Sequence, residues 1–442
     1  MKRNIKTYFL FNADDGTHGF ELWISDTTEA GTKLLKDINT DTNKNSGKSN
    51  PVRFTYMNGK VYFSAYDSVN GRDLWVSDGT ETGTHIVKAL NTTLSEYQSP
   101  LTVMNGKLYY GVHDTSDPHL FATDGTVNGT QKVSDVIFDV ESAYAITGKP
   151  VVMNNKLYFR GVSGSHWVLY VSDGTSAGTA IVKDKKYAGI IDNPQYMTVV
   201  GNKLFFSAAD GGTYGNELWV IDGSAAADEA SMVKDIKTGT GSSNPKFITA
   251  MNGKAYFQAA DISANGLWVS DGTESGTSMI VDANTVTKPT SLTVLNNKLY
   301  FFATNYTTAS TSFFMSDGTT AGTESINVNE LYVTLDEKAV IATMNNKLFF
   351  KATWVPNGTN DVLCMSDATA AGTAMLKDIT PGTASGSTRP GNFLVVKDSI
   401  YFSALDGTNR YELWVSDGTE DGTKLFKNIN PSGNGDLLTD SY

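Results

Sequence analysis

The chain has 442 residues, with 35 Lys and Arg against 47 Asp and Glu, for a net charge of −12. At 40% hydrophobic and 19% charged it is too apolar for a disordered chain, its acid excess disfavours nucleic acid, and no apolar stretch approaches the ~20 residues of a membrane helix. The lone Cys364 excludes a disulfide framework and a thiolate zinc site.

The N-terminus does not read as a signal peptide. Met1-Lys2-Arg3 resembles a charged leader, but only Tyr8-Phe9-Leu10-Phe11 follows before Asn12, short of the roughly 7–15 apolar residues required. The chain therefore reads as cytoplasmic, or as a mature form or excised portion of a secreted protein. The first strand is Thr7-Tyr8-Phe9, and the phrase Glu21-Leu22-Trp23-Ile24-Ser25-Asp26 follows it. That phrase returns as Asp73-Leu74-Trp75-Val76-Ser77-Asp78-Gly79-Thr80, and its Asp recurs at Asp124, Asp173, Asp222, Asp271, Asp317, Asp367 and Asp417. The mean period is about 49 residues, in the range of solenoids, propellers and arrays.

Each period has one grammar. An apolar run such as Leu101-Thr102-Val103-Met104 meets the turn Asn105-Gly106-Lys107, then an aromatic run, Leu108-Tyr109-Tyr110. Asn-Gly between apolar runs is a strong hairpin signal, because both residues tolerate positive φ. A variable loop follows, then Leu-Trp-Val, the Ser-Asp-Gly-Thr turn and a fourth run such as His85-Ile86-Val87-Lys88. Four short runs per period, here A to D, predict an all-β chain: a single β-propeller of four-stranded antiparallel blades spanning 1–442. Nine blades are expected, with eight as the alternative. The first unit lacks strand A, so residues 436–442 are expected to complete it and close the ring.

The phrase Glu-Leu-Trp-x-x-Asp-Gly-Thr, fullest at Glu412-Leu413-Trp414 to Gly422-Thr423 and Asp73-Leu74-Trp75 to Gly83-Thr84, resembles the bacterial ELWxxDGT-repeat family over nearly the whole chain. The resemblance implies a propeller-like array in a secreted or cell-surface protein and carries no catalytic residue with it. Copy one departs with Thr27 for Gly, copy eight with Ala368, and copy five places Ala226-Ala227-Asp228-Glu229 where Gly-Thr should stand.

Repetition separates scaffold from candidate function. The nine Asp residues read as turn formers whose carboxylates accept backbone N–H groups; a ring of calcium sites is the alternative, but no second carboxylate recurs nearby. Trp23, Trp75, Trp219, Trp268 and Trp414 share a slot with Phe121, Tyr170, Phe314 and Cys364, which reads as core between blades. Strand A carries Thr55, Thr102, Val151, Thr198, Thr249, Thr293, Ala342 and Leu394 three residues before its turn. That row has no charge and argues against a central catalytic or metal site.

The variable B–C and D–A loops share one face and hold the candidate ligand-binding residues: Trp167, Trp354, His166, His113, Tyr66, Tyr214 and Tyr306. His113, Asp114, Asp117 and His119 suggest either a metal site or a polar turn around Pro118. The expected function is a non-catalytic binding or adhesion module, taking a protein or glycan on a cell surface, alone or within a larger secreted assembly. No catalytic residue, cofactor, metal, nucleic acid or membrane insertion is expected. The alternatives are a propeller glycoside hydrolase or lyase, which needs converging unrepeated carboxylates, and a structural spacer.

Overall fold

Short β-branched and aromatic runs between Asn-Gly and Asp-Gly turns form the antiparallel strands that their patterning predicts. The computed structural model describes residues 8–41, 48–90, 100–113, 117–139, 148–186, 189–225, 227–262, 265–281, 286–305, 311–326, 331–332, 340–354, 360–379, 389–405 and 411–431. Strands B and C pair in every repeat, from Phe9–Asp14 against Phe20–Ser25 to Ser399–Leu405 against Tyr411–Ser416. The A–B turns have the expected left-handed pair, with φ 53° at Asn58 and 83° at Gly59.

The expectation of a single closed propeller of four-stranded blades is corrected by the sheets, which are open and unequal. Among the described residues the first repeat has three strands, repeats two, six, seven and nine have four each, and the eighth lies in a five-stranded sheet. Repeats three, four and five merge into one sheet of 13 strands. The join between the third and fourth repeats has a local cause. Strand D of the third repeat, Gln131–Phe138, runs on until Ile137 pairs with Val162 and Phe138 with Gly161 of the next repeat. Residues 436–442, expected to complete the first repeat, lie outside the described residues.

Apolar packing follows the repeats more regularly than the ladders do. Tyr62, Leu74 and Val76 of the second repeat pack with Leu108, Tyr110 and Phe121 of the third. The same kind of cluster joins the last repeat to the first, where Tyr401, Leu413 and Ile429 meet Phe11 and Trp23. The repeated tryptophan slot is core: Trp219 is 2% exposed, and Cys364, its smallest occupant, is 0% exposed. Burial pushes the Cys364 thiol pKa well up, so it stays protonated and unreactive.

Strand A holds a feature not expected from sequence. Arg53, Tyr196, Phe247, Ser291 and Asn392 are left-handed, with φ between 54° and 62°. Each sits at a register shift against strand B, as between Val52 and Thr55. One extra residue is accommodated there as a bulge. Arg53, Lys246 and Lys288 also put charge on these strands, although the row from Thr55 to Leu394 has none.

The repeated phrase is explained by the C–D turn. Asp271 Oδ1 accepts Thr273 N at 2.8 Å and Thr273 Oγ1 at 2.7 Å, and Thr273 Oγ1 in turn accepts Gly276 N at 3.0 Å. Thr277 Oγ1 donates to Thr273 O at 2.6 Å and meets Ser270 Oγ at 2.8 Å. Ser, Asp, Thr and the later Gly-Thr are thus one hydrogen-bonded unit. The threonine hydroxyl, then its backbone N–H, hold the Asp271 carboxyl below its usual range. Asp271 Oδ1 is thus committed to the turn.

The glycine after Asp serves the neighbouring repeat. A Cβ at Gly125, Gly174 or Gly318 would lie 2.1, 2.2 or 2.3 Å from the hydroxyl of Tyr62, Tyr109 or Tyr256 on the preceding repeat's strand B. These glycines are also left-handed, so the slot needs glycine twice over. The fifth copy solves the junction differently. Its Asp228 accepts Tyr158 Oη at 2.7 Å and Lys156 Nζ at 2.5 Å, tying it to the fourth repeat. Lysines at the end of strand D add a further tie, as Lys88 Nζ donates to Thr130 O at 2.8 Å and Lys377 Nζ to Thr423 O at 2.7 Å.

Thr27 and Ala368, the departures at this glycine slot, have φ of 72° and 73°. A non-glycine residue there costs about 1 kcal/mol. Thr27→Gly and Ala368→Gly are each expected to stabilise the protein by about 0.5–1 kcal/mol, read as a rise in thermal midpoint. A fall at both would show that the left-handed strain is offset elsewhere.

Candidate functional site

Where the phrase opens with an acid, that acid is buried. Glu21 and Glu217 are fully covered, and each holds the segment after strand D by accepting its N–H groups. Glu217 accepts Ile236 N at 3.0 Å, Ser243 N at 2.9 Å and Ser243 Oγ at 2.5 Å. Glu21 does the same for Ile38 N at 2.7 Å and Ser49 N at 3.0 Å. Burial pushes Glu21 up to about 7 and Glu217 up to about 6, against the pull of those donors. The nearby Asp37 and Asp235 carboxylates add to the rise.

Asp37 and Asp235 occupy the same place in their repeats, in Lys36-Asp37-Ile38 and Lys234-Asp235-Ile236. In each, Oδ1 is buried and has no hydrogen-bond partner. Each also lines a cleft, of about 420 Å³ at the first repeat and about 400 Å³ at the fifth. Volumes of this order suit small ligands.

The two clefts differ in charge. The first is walled by Asp14, Asp37 and Asp41 with His18 and Lys48. Its histidine is raised by the hydrogen bond from its Nδ1 to Asp15, 2.7 Å away. Its lysine ammonium lies 5.1 Å over the Phe20 ring. The second cleft combines Asp184, Asp210, Asp235 and Glu274 with Lys185, Lys186 and Lys234, and Tyr214 and Met232 supply apolar surface above the buried Trp219. Its B–C loop is set by Asp210, whose Oδ1 accepts Gly212 N, Thr213 N and Tyr214 N at 3.1, 3.0 and 2.9 Å. Asp15 and Asp67 cap their own B–C loops in the same way.

Of the described residues expected to bind ligand, Tyr214 lines one of these two clefts and the others line neither. His166 and Trp167 come together, but around a buried ion pair. Arg160 Nε lies 2.6 Å from Asp139 Oδ2, its guanidinium donates to Asn193 Oδ1 at 2.8 Å, and its plane lies 4.8 Å over the Trp167 ring. His166 Nδ1 stands 3.4 Å from Asp192 Oδ1. Trp167 thus covers Arg160 on one face. His113 ends a strand B opposite Pro118, and Tyr66 lies on the second repeat with its backbone N–H bonded to Ser49 O at 2.8 Å. Tyr306, Asp114 and the Trp354 side chain lie outside the described residues. Among the described residues no three His, Cys, Asp or Glu side chains converge as a metal site requires.

Sequence reasoning passed over Glu217, Asp235 and Lys185. The usable signal was the first position of the repeated phrase. It is acidic as Glu21, Asp73, Glu217 and Glu412, but His119, Val168, Gly266, Ser312 and Val362 in the other copies.

No family model matches the chain, and no curated protein matches it. Among solved structures it is similar to a puromycin hydrolase, at 14% identity and a TM-score of 0.42, covering 78% of this chain and 55% of that one. It is also similar to a structure described in a study of two prolyl endopeptidases, at 11% identity and a TM-score of 0.43, covering 83% of this chain and 54% of that one. A Mycobacterium tuberculosis puromycin-hydrolyzing peptidase is similar at 11% identity and a TM-score of 0.38. The chain spans little more than half the length of these proteins. The expectations of a non-catalytic adhesion module and of a chain that is no enzyme are corrected here: the similar structures named above are of peptidases, and neither expectation is retained. Carbohydrate binding is likewise not retained. At these TM-scores the likeness assigns this chain neither a catalytic residue nor a substrate.

Proposed function

We propose that the chain is a substrate-holding repeat scaffold whose working site is the cleft at the fifth repeat. The observation that carries this reading is the cleft of about 400 Å³ lined by Asp184, Asp210, Asp235 and Glu274 together with Lys185, Lys186 and Lys234. Convergent polar groups in a formed cavity mark a small-molecule site, whereas the Asp-Thr turns and the tryptophan slot are used up in holding repeats together. The inter-repeat ties keep the walls fixed, which lowers the ordering cost of binding.

Short peptides are suitable probes, and cleavage can be followed in the same tubes. Titration of the protein with a small peptide set, read by calorimetry and by mass spectrometry of the products, is expected to give saturable binding. Met232→Trp, which fills the cleft, is expected to remove it while leaving the thermal midpoint within a few degrees. Binding that survives Met232→Trp, or no binding by any member of the set, overturns the reading.

A further inference from the structure

The fifth-repeat cleft runs along a sheet edge. Strand D of this repeat, Glu229–Lys234, pairs with strand C on one side. On its other side the short strand Lys183–Asp184, arriving from the fourth repeat, lies parallel to it and covers Glu229 and Ala230. There Lys185 N donates to Ala230 O at 2.8 Å, so the Ala230 carbonyl faces this edge. Main-chain groups alternate in direction along a strand, so the N–H and C=O of Met232, two residues on, face the same edge. Among the described residues no strand pairs with Met232 on that side. Ser231, Met232, Val233 and Lys234 line the cleft in succession, beside Asp184, Lys185 and Lys186 where the covering segment ends. Successive side chains point to opposite faces of a sheet, so a cavity bordered by consecutive residues follows the edge and not one face. A lysine ordinarily guards such an edge, but Lys234 is engaged on the sixth repeat, its Nζ donating to Thr277 O at 3.0 Å.

We propose that this edge takes an extended peptide as an added strand, its main chain hydrogen-bonded to the Met232 N–H and C=O in line with the Lys183–Asp184 segment. That segment gives the form of the occupant: an extended stretch of chain already lies on this edge, and a peptide in the cleft prolongs it. Main-chain bonds of this kind supply affinity with little demand on side-chain identity. The inference rests on the reading of the cleft as the working site and adds the class of ligand and the way it is held. The first-repeat cleft acts as an internal comparison. Among the described residues its lining includes none from strand D of that repeat, Lys33–Lys36, so it offers no such edge.

The probe is the capped tetrapeptide acetyl-Ala-Phe-Val-Thr-amide, together with its variants N-methylated at one residue each, titrated into the full chain. A methyl group on the main-chain nitrogen that donates to Met232 O is expected to weaken binding about tenfold, as for loss of one hydrogen bond. At the residue next to it the methyl group should change binding by less than about twofold. Met232→Pro removes the outward N–H without removing a ladder bond to strand C. It should weaken the unmethylated peptide about tenfold, while Met232→Leu leaves it within about twofold. Should Met232→Pro fail to fold, the methyl series on the native chain decides alone. If every N-methyl group is tolerated and Met232→Trp still abolishes binding, the cleft is the site but the peptide is not held as a strand. Equal weakening by all the methyl groups overturns the strand as well. If no peptide binds, the underlying reading fails together with the inference.

Discussion

Alanine at Gly276 is expected to destabilise the protein by about 2–3 kcal/mol, although Gly→Ala at an ordinary φ stabilises by about 0.4–1 kcal/mol. The reversal comes from the turn. A Cβ at Gly276 would lie 2.1 Å from Asp271 Oδ1 and 2.2 Å from its Cγ. The carboxylate cannot withdraw without losing its two bonds to Thr273. Equivalent distances recur at Gly83, Gly129, Gly178, Gly322, Gly372 and Gly422, so Gly422→Ala should repeat the loss. Thermal or denaturant unfolding reads the sign. Asp271→Ala removes the obstruction along with the bonds, so the double variant should be no less stable than Asp271→Ala alone. A rise in stability on Gly276→Ala would show that the turn yields easily and that its glycine is not sterically required.

A second large effect is set by pH. Glu21 and Asp73 are pushed up to about 7, and Glu217 to about 6, mainly by burial. Their values in the unfolded chain are the ordinary ones, about 4. Between those limits the folded state binds more protons than the unfolded state, so stability falls as pH rises. The contribution is complete below about pH 4 and is lost through pH 6 to 7, on the order of 1–3 kcal/mol per group. The turn aspartates act oppositely. Asp78, Asp271 and Asp417 are lowered, first by their threonine hydroxyls, and their contribution is lost as pH falls through the carboxylate range. A midpoint maximum near pH 5 is therefore expected, with a decline towards pH 8. Glu21→Gln should flatten that decline whatever it does to absolute stability. A midpoint that climbs steadily from pH 5 to 8, or an unchanged slope in Glu21→Gln, would overturn the account.

The repeat, its strand order and its core slot were legible because each blade-like unit needs the same groups in the same places. Asp78-Gly79-Thr80 and Trp75 follow from turn chemistry and alternation. The sheets were less legible. Whether Ile137 continues a strand or enters a loop depends on the partner at Val162, and no local pattern contains that information. The left-handed bulges at Tyr196 and Phe247 were hidden for a related reason, since bulky residues seldom occupy that region and give no warning of it. The candidate site was nearly invisible. Asp235 reads as a surface acid beside Lys234, and only the fold shows that one of its oxygens is buried. Trp167 was conspicuous, yet one of its faces is taken by Arg160.

The seating of Tyr62 against Gly125, and of Tyr158 and Lys156 against Asp228, bears on how such a chain can be rearranged. Each junction is written half in one module and half in its successor. Swapping the fifth module with another would set Asp228 opposite residues unsuited to it and strand Tyr158 beside a turn built for someone else. The interchangeable piece is therefore a segment cut mid-module, from one strand B to the next, and chimaeras spliced there should tolerate shuffling that whole-module grafts do not.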